Sequence, residues 1–253
     1  MGLHPIRHRN HGVGGVERTQ RTRDLLPVSE IFLSVQGEGL HSGTPSVFLR
    51  TYFCNLTCTW CDTKYTWLKQ NESKAGMDYN FMTVGEALER IMSYGCRHLV
   101  LTGGEPLLHQ EALAPLLSSL DRVDFYIEVE TNGTIAPSAE VIGSVGCFNV
   151  SPKTSNSLVD ESVRVRGDAL KALVESRKAW FKFVVCGTQD LDEIEAMIIK
   201  HSIPRDRVFL MPEGVDAATI LSRSQWLVRA CMKRGLRFSP RLHILLFGNV
   251  RGT

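Results

Sequence analysis

Five times between Ser46 and Gly214, a short apolar run ends in a turn built from cysteine, glycine, proline or charged residues. The run from Ser46 to Phe53 leads into Cys54-Asn-Leu-Thr-Cys58-Thr-Trp-Cys61. His98–Thr102 leads into Thr102-Gly-Gly-Glu-Pro106, Asp124–Glu130 into Glu130-Thr-Asn-Gly133, Phe148–Ser151 into Ser151-Pro-Lys153, and Val208–Met211 into Met211-Pro-Glu-Gly214. Helical patterns separate these runs. In Thr83–Tyr94, Thr83 and Glu86 read as a capping box, Val84, Ala87, Leu88, Ile91 and Met92 form one apolar stripe, and Gly95 is the stop. Gln110–Leu120 (with Pro115 inside it), Ala169–Ser176, Leu191–His201 and Thr219–Arg234 read as further helices, Trp180–Val185 as a strand, and Leu236–Leu242 as a last strand. Strands alternating with helices predict an α/β fold with a parallel sheet and right-handed crossovers. All five turns then fall on the carboxyl-terminal rim, where α/β barrels build their sites. The strand–helix pairs are too few for eight repeats, so the expectation is an open, TIM-like partial (βα)6 barrel.

The length of 253 residues suits one large domain, and 43% hydrophobic with 22% charged residues is ordinary for a globular protein. A net charge of +2 gives no footing for direct nucleic-acid or membrane-surface binding. Five arginines fall within residues 1–24, which lack apolar periodicity, so residues 1–26 are expected to be a disordered extension and 27–253 the folded domain. No apolar run reaches membrane-spanning length and the N-terminus has no apolar signal core, which predicts a cytoplasmic protein. The seven cysteines agree with a reducing compartment: three are clustered, and Cys96, Cys147, Cys186 and Cys231 sit among apolar neighbours like small buried hydrophobes.

The C-x3-C-x2-C triplet places three thiolates on one loop, with Asn55, Thr57 and Thr59 keeping that loop polar. Such a set can hold a cubane iron–sulfur cluster with one iron left open, or a structural zinc with His98 or His109 as fourth ligand. The glycines of Thr102–Pro106 allow close backbone approach and Pro106 can start a helix; a plain strand-to-helix turn is the competing reading. Ser151-Pro-Lys153 supplies a hydroxyl and a cation, and reads equally as a capped loop. Val35-Gln36-Gly37-Glu38-Gly39 presents an amide and a carboxylate suited to a heterocycle. Arg50, alternating with apolar neighbours, needs an anion: a substrate carboxylate, or a salt bridge to Glu38 or Glu130.

Together these motifs resemble a known family. The triplet with Trp60 before its last cysteine and Asp62-Thr63 after it is the signature of the radical S-adenosylmethionine (SAM) enzymes. Ile31-Phe32, Gln36-Gly-Glu-Gly39, Arg50, Thr102–Pro106, Glu130–Thr134, Ser151–Lys153 and the tail His243–Thr253 are similar to the 7-carboxy-7-deazaguanine synthases of that superfamily, from about Pro27 to the C-terminus. The resemblance implies a [4Fe–4S] cluster on Cys54, Cys58 and Cys61, and SAM held by Trp60, Cys61, Asp62, Gly104, Glu105, Ser151, Pro152, Lys153 and the turn Met211, Pro212, Glu213 and Gly214. Met211 stands where a glutamine is common. It implies substrate contacts from Val35, Gln36, Gly37, Glu38, Arg50, Thr102 and the carboxylate of Thr253, and magnesium beside Thr63.

The implied reaction converts 6-carboxy-5,6,7,8-tetrahydropterin into 7-carboxy-7-deazaguanine with release of ammonia, on the way to queuosine and other 7-deazapurines. A radical made from SAM takes hydrogen from substrate C6, ring contraction follows and SAM is reused. A flavodoxin-like donor and a homodimer are implied partners. The competing readings are another radical SAM enzyme, such as a glycyl-radical activase, and a zinc-stabilised binding module.

Overall fold

A computed structural model describes residues 25–68 and 79–253. Apart from Leu25 and Leu26, the expected N-terminal extension lies outside the described residues. Those two leucines open a strand, β1 (Leu25–Val35), and Leu26 is fully buried, so both belong to the sheet rather than to the expected extension.

The elements follow in the order β1, β2 (Pro45–Thr51), β3 (Asn80–Thr83), α1 (Val84–Met92), β4 (His98–Gly103), α2 (Gln110–Asp121), β5 (Tyr126–Thr131), α3 (Ala139–Ser144), β6 (Cys147–Val150), α4 (Glu161–Arg164), α5 (Gly167–Glu175), β7 (Ala179–Val185), α6 (Asp190–Lys200), β8 (Val208–Pro212), α7 (Ala217–Arg234), β9 (Arg237–Phe238) and α8 (Leu242–Phe247). They form one sheet in the order β3-β1-β2-β4-β5-β6-β7-β8-β9. From β2 to β9 every pairing is parallel, whereas β1 runs antiparallel to β2 and to β3. The sheet does not close on itself, in keeping with the open barrel the strand count implies.

A strict period of two along the parallel strands separates core from lumen. Val47 and Leu49, Leu99 and Leu101, Ile127 and Val129, Phe148 and Val150, Phe181 and Phe183, and Val208 and Leu210 are all fully or almost fully buried in one core. That core is completed by Leu113, Leu116, Leu117 and Leu120 of α2, Leu170 and Leu173 of α5, Ile194 and Ile198 of α6 and Leu227 of α7. At about 1.5–3 kcal/mol per large apolar side chain, this layer between sheet and helices is the main stabilising term. The alternate positions include Arg50, Thr102, Glu128, Glu130, Asn149 and Lys182 beside the apolar Phe48, Val100, Val184 and Phe209. A lumen so charged is not filled as a second core; it is built to hold something polar.

Local chemistry explains the remaining boundaries. The capping box of α1 is present, with Glu86 N donating to Thr83 Oγ1 (3.2 Å) and Thr83 N to Glu86 Oε2 (2.7 Å). Pro115 does not break α2, which runs on to Asp121. The strand expected over Leu236–Leu242 is a correction: only Arg237 and Phe238 pair with β8, and the chain turns into α8 instead. Pro240 has no N–H for the ladder, and Leu242 N bonds the carbonyl of Gly37 (2.9 Å).

Candidate active site

The cysteine loop is held by contacts from three strand ends. Gly104 N and Glu105 N donate to the carbonyls of Thr51 (3.2 Å) and Phe53 (2.9 Å), so the glycine turn after β4 lies against the turn after β2. A Cβ on Gly104 would come within 2.0 Å of Phe53 O, and one on Gly103 (φ +140°) within 2.4 Å of Thr51 O. The two glycines therefore serve first to admit the backbone that carries the cysteines. Asn132 Nδ2 donates to Asn55 Oδ1 (2.9 Å), and Asn55 Nδ2 to Thr134 Oγ1 (2.8 Å), bracing the loop from the turn after β5. Thr59 N and Trp60 Nε1 dock on the carbonyls of Ser157 and Asn156, both at 3.1 Å.

Cys54, Cys58 and Cys61 are free thiols lining one cavity of about 440 Å³, a size usual for a small-molecule site. Leu56 N points at Cys54 Sγ (3.4 Å) and Trp67 Nε1 at Cys61 Sγ (3.4 Å). Such donors favour thiolates, as an iron–sulfur cluster requires. Without metal, burial pushes Cys54 up to about 11 and also raises Cys58, against the opposing charge of Lys153. Neither histidine of the zinc reading belongs to this set. His109 Nε2 bonds Tyr52 O (2.8 Å), and His98, the first residue of β4, stands at the opposite end of the sheet. Three thiols that neither His98 nor His109 joins fit a cluster with one open iron better than a zinc site closed by either histidine.

The rest of the lining brings together most of the residues singled out in the sequence. Val35, Gln36, Gly37, Glu38, Arg50, Trp60, Asp62, Thr63, Thr102, Gly104, Ser151, Lys153, Met211, Glu213 and Thr253 all border the same cavity. Pro152, Pro212, Gly214 and Glu105 do not border it. Glu105 is fully buried, and its carboxylate accepts from Leu107 N (3.0 Å), Thr131 Oγ1 (2.9 Å) and Asn132 N (2.7 Å); burial nonetheless holds its pKa above the usual range. Lys153 Nζ donates to Ser151 Oγ (2.8 Å) and lies 5.3 Å from the Trp60 ring centroid.

Two charge networks cross the cavity. Arg50 and Glu30 are cross-strand partners, and Arg50 Nε donates to Glu30 Oε1 (2.7 Å), so its partner is neither Glu38 nor Glu130. Tyr65 Oη also donates to Glu30 (2.7 Å). Arg251 of the tail reaches Glu30 (3.3 Å) and stacks 4.4 Å from the Tyr65 ring centroid. Burial alone would lower the Arg50 pKa, but Tyr65 and Glu30 raise it, so it is a fixed cation.

Glu38 is the hub of the second network. Its carboxylate accepts from Lys182 Nζ and from Arg241 Nε (3.0 Å), and Arg241 also pairs with Asp62. Burial works to raise the Glu38 pKa, yet Lys182 and Arg241 outweigh it and hold the group ionised well below the usual carboxylate range. The side chains of Gln36 and Glu38 are thus committed within the protein: Gln36 Nε2 reaches Glu128 and Glu130 (3.3 Å), and its Oε1 accepts from Glu38 N (3.2 Å). Glu130, which also accepts from Thr102 Oγ1 (2.7 Å), borders the cavity itself. Sequence reasoning did not single out Lys182 or Arg241. A lysine inside the apolar strand Trp180–Val185 was the one signal that could have exposed the first.

A sequence profile of the radical SAM superfamily matches residues 48–198. The 7-carboxy-7-deazaguanine synthase of Pyrobaculum aerophilum is 40% identical over 232 residues, covering 89% of this chain and 96% of the relative. That of Halobacterium salinarum is 35% identical, covering 90% and 93%. Among solved structures, QueE from Escherichia coli superposes with a TM-score of 0.69 at 26% identity, covering 92% of this chain and all of that one (100%). Streptococcus suis SuiB, at 14% identity and a TM-score of 0.54, shares the fold alone.

Proposed function

The chain belongs to the 7-carboxy-7-deazaguanine synthase family of the radical SAM superfamily, and from that premise we propose how its own residues serve the reaction. It is a carbon–nitrogen lyase that contracts the ring of 6-carboxy-5,6,7,8-tetrahydropterin to 7-carboxy-7-deazaguanine with loss of ammonia. The observation that carries the residue assignments is the single cavity lined jointly by the cysteine triplet and by Arg50, Thr102 and Glu130.

Cys54, Cys58 and Cys61 would hold the [4Fe–4S] cluster of the superfamily. The cluster and SAM supply the radical that starts the rearrangement, and the protein's task is positioning and exclusion of water. Trp60, Lys153 and Ser151 form a stacked and hydrogen-bonded ledge beside the triplet, suited to the nucleoside part of SAM. Gly104 offers backbone to the same cavity, and Asp62, Glu213 and Met211 also line it. Glu105 acts from behind, by fixing the turn of Thr131 and Asn132. Pro152, Pro212 and Gly214 shape the same turns.

On the same lining, Arg50 is the charged partner for the substrate carboxylate, since its Nε is anchored by Glu30 and its charge is fixed. Glu130 and Thr102 present acceptor and hydroxyl to the ring's amino and N–H donors. Val35 and Gly37 contribute backbone and surface. Gln36 and Glu38 act through their networks, which hold Glu130 and Lys182 in place. The tail, pinned by Arg251 to Glu30 and Tyr65, closes the cavity with Thr253 on its lining, so a carboxylate there would meet the same donors. The Thr63 hydroxyl, beside Cys61 on the lining, is a hard oxygen ligand suited to a magnesium ion shared with the substrate carboxylate.

We also place the protein in the cytoplasm, as a homodimer reduced by a flavodoxin-like donor. Among the described residues no helix is long and apolar enough to cross a membrane. An anaerobic assay with SAM, dithionite and the carboxytetrahydropterin tests the reading. Formation of the deazaguanine and ammonia is expected, and should be lost in Cys58→Ala together with the bound iron. Product formation by an iron-free Cys58→Ala protein would exclude the cluster assignment.

A further inference from the structure

The lumen that opens at its rim into the reaction cavity ends, at the other extremity of the sheet, in a second set of ligating side chains. His98, Tyr126 and Cys147 are the first residues of β4, β5 and β6, so they stand at the amino-terminal ends of the strands. The loop after β1 brings His41 against them. The rings of His41, His98 and Tyr126 meet edge-on, with centroids 5.3, 5.0 and 5.1 Å apart. Against His41 and His98 lies the carboxylate of the fully buried Glu128.

The two oxygens of Glu128 have different surroundings. Oε1 accepts from the amides of Gln36 and Asn149. Oε2 faces His41 Nδ1 (2.5 Å) and His98 Nε2 (3.5 Å). One ligand atom each from His41, Glu128 and Cys147 lies within 4.8 Å of the other two. His98 Nε2 is buried and makes no hydrogen bond, in a residue only 9% exposed. A carboxylate pinned through one oxygen by amides, with the other turned to two imidazoles and a buried thiol close by, has the form of a metal ligand with its outer-shell support in place.

We propose that His41, His98, Glu128 and Cys147 form a binding site for a zinc-like divalent cation, distinct from the cysteine triplet. A donor set of two nitrogens, one sulfur and one oxygen suits tetrahedral zinc and disfavours the oxygen-seeking magnesium and calcium. The charge also balances, because a carboxylate and a thiolate neutralise a divalent ion and the thiol proton is released to solvent. Metal–ligand bonds of about 2.0–2.3 Å put tetrahedral ligands roughly 3.3–3.8 Å apart. The ion would therefore replace the His41–Glu128 hydrogen bond, open that contact by about 1 Å, and draw in His98, which lies outside the 4.8 Å grouping of the other three ligands. His41 can supply the movement, since it lies on a loop with its side chain 23% exposed. The ion would tie this loop, which also carries Gln36 and Glu38, to β4, β5 and β6.

The test uses the full chain with Cys54, Cys58 and Cys61 all changed to alanine, so that the triplet cannot take up the probe, alongside the cluster-loaded protein. Cobalt(II) added to the triple variant is expected to bind at one equivalent per chain. It should give a sulfur-to-cobalt charge-transfer band with tetrahedral d–d absorption, and zinc should displace it one for one. In the cluster-loaded protein, metal analysis should find one zinc per chain besides the iron. Adding Cys147→Ser should abolish the band while circular dichroism stays unchanged, and His98→Gln should weaken binding by about tenfold or more. No cobalt band in the folded triple variant, or a band that survives Cys147→Ser, overturns the site. Should Cys147→Ser unfold, a folded His98→Gln protein that binds cobalt as tightly as its parent overturns the four-ligand assignment.

Discussion

Lys182, in the middle of β7, donates its ammonium proton to Glu38, in the loop after β1, across the full lumen of the sheet. The two charges are almost wholly buried, at 5% and 12% side-chain exposure, and Arg241 shares the same carboxylate. Removing one partner of such a pair leaves the other uncompensated. Lys182→Met is therefore expected to destabilise the protein, toward the low end of the roughly 3–5 kcal/mol typical of broken buried pairs, because Arg241 remains. The double variant Lys182→Met/Glu38→Gln should recover much of that loss. Because Glu38 titrates below its ordinary value of 4.5 when folded, the pair's stabilisation is complete above that pH. It is lost only as pH falls through the depressed value. Thermal unfolding of the single and double variants against pH checks this; a double variant less stable than the single would contradict it.

Gly104→Ala is expected to displace the cysteine loop. Its Cβ would meet the carbonyl of Phe53 at 2.0 Å, and that atom is backbone with no freedom to swing aside. Overpacking of this kind costs about 1–3 kcal/mol or more. Reconstituted protein should show reduced iron content along with a lower melting temperature. Full iron content at wild-type stability would mean the two turns can separate freely.

Metal loading should follow the protonation of the triplet. In the metal-free protein Cys54 is raised from 9.0 to about 11 by burial, so the stability tied to its neutral thiol is complete below 9.0 and is lost as pH rises through about 11. Metal-free protein should therefore lose melting temperature across that window, and cluster-loaded protein, whose sulfurs are already thiolates, should not. Lys153 is the charge that favours the thiolates. Lys153→Met should slow cluster assembly near neutral pH, followed by the growth of visible absorbance. Equal rates in the two proteins would remove Lys153 from cluster assembly.

Arg50→Lys should impair turnover of the pterin more than uncoupled SAM cleavage. Lysine retains the charge but loses both the planar fork and the Nε bond to Glu30 (2.7 Å), a loss of about 1–3 kcal/mol. The separation of the two activities is the measurement. An equal fall in both would assign Arg50 to support of the strand rather than to substrate.

The outline of this molecule was legible because its local signals are strong. The helices and strands read between Thr83 and Arg234 lie within a few residues of their expected limits, since apolar period and capping residues act over a turn or two of chain, whereas the short helices α3 and α4 went unread. The rim of cysteine, glycine and proline turns was legible for the same reason: parallel connections send the carboxyl ends of β2 and β4–β9 the same way. Where local signals conflict, the reading failed. Leu236–Leu242 has strand-like composition, but Pro240 ends the ladder and Arg241 is drawn into the lumen by Glu38 and Asp62. β1 was missed because Pro27 and the adjacent polar pair Ser29-Glu30 interrupt the apolar pattern of Leu25–Val35.

What sequence alone determined about this protein is its family, its layered α/β plan and the loop that carries the three thiols, all written in short contiguous motifs. Tertiary structure decided which charges meet. Glu30 rather than Glu38 pairs with Arg50, Lys182 neutralises Glu38, Glu105 turns away from the cavity, and His41 reaches Glu128 and Cys147. Each pairing joins residues tens to hundreds of positions apart. The Coulomb and desolvation terms that select such partners depend on distance and burial in space, and neither quantity exists until the sheet has brought the strands side by side.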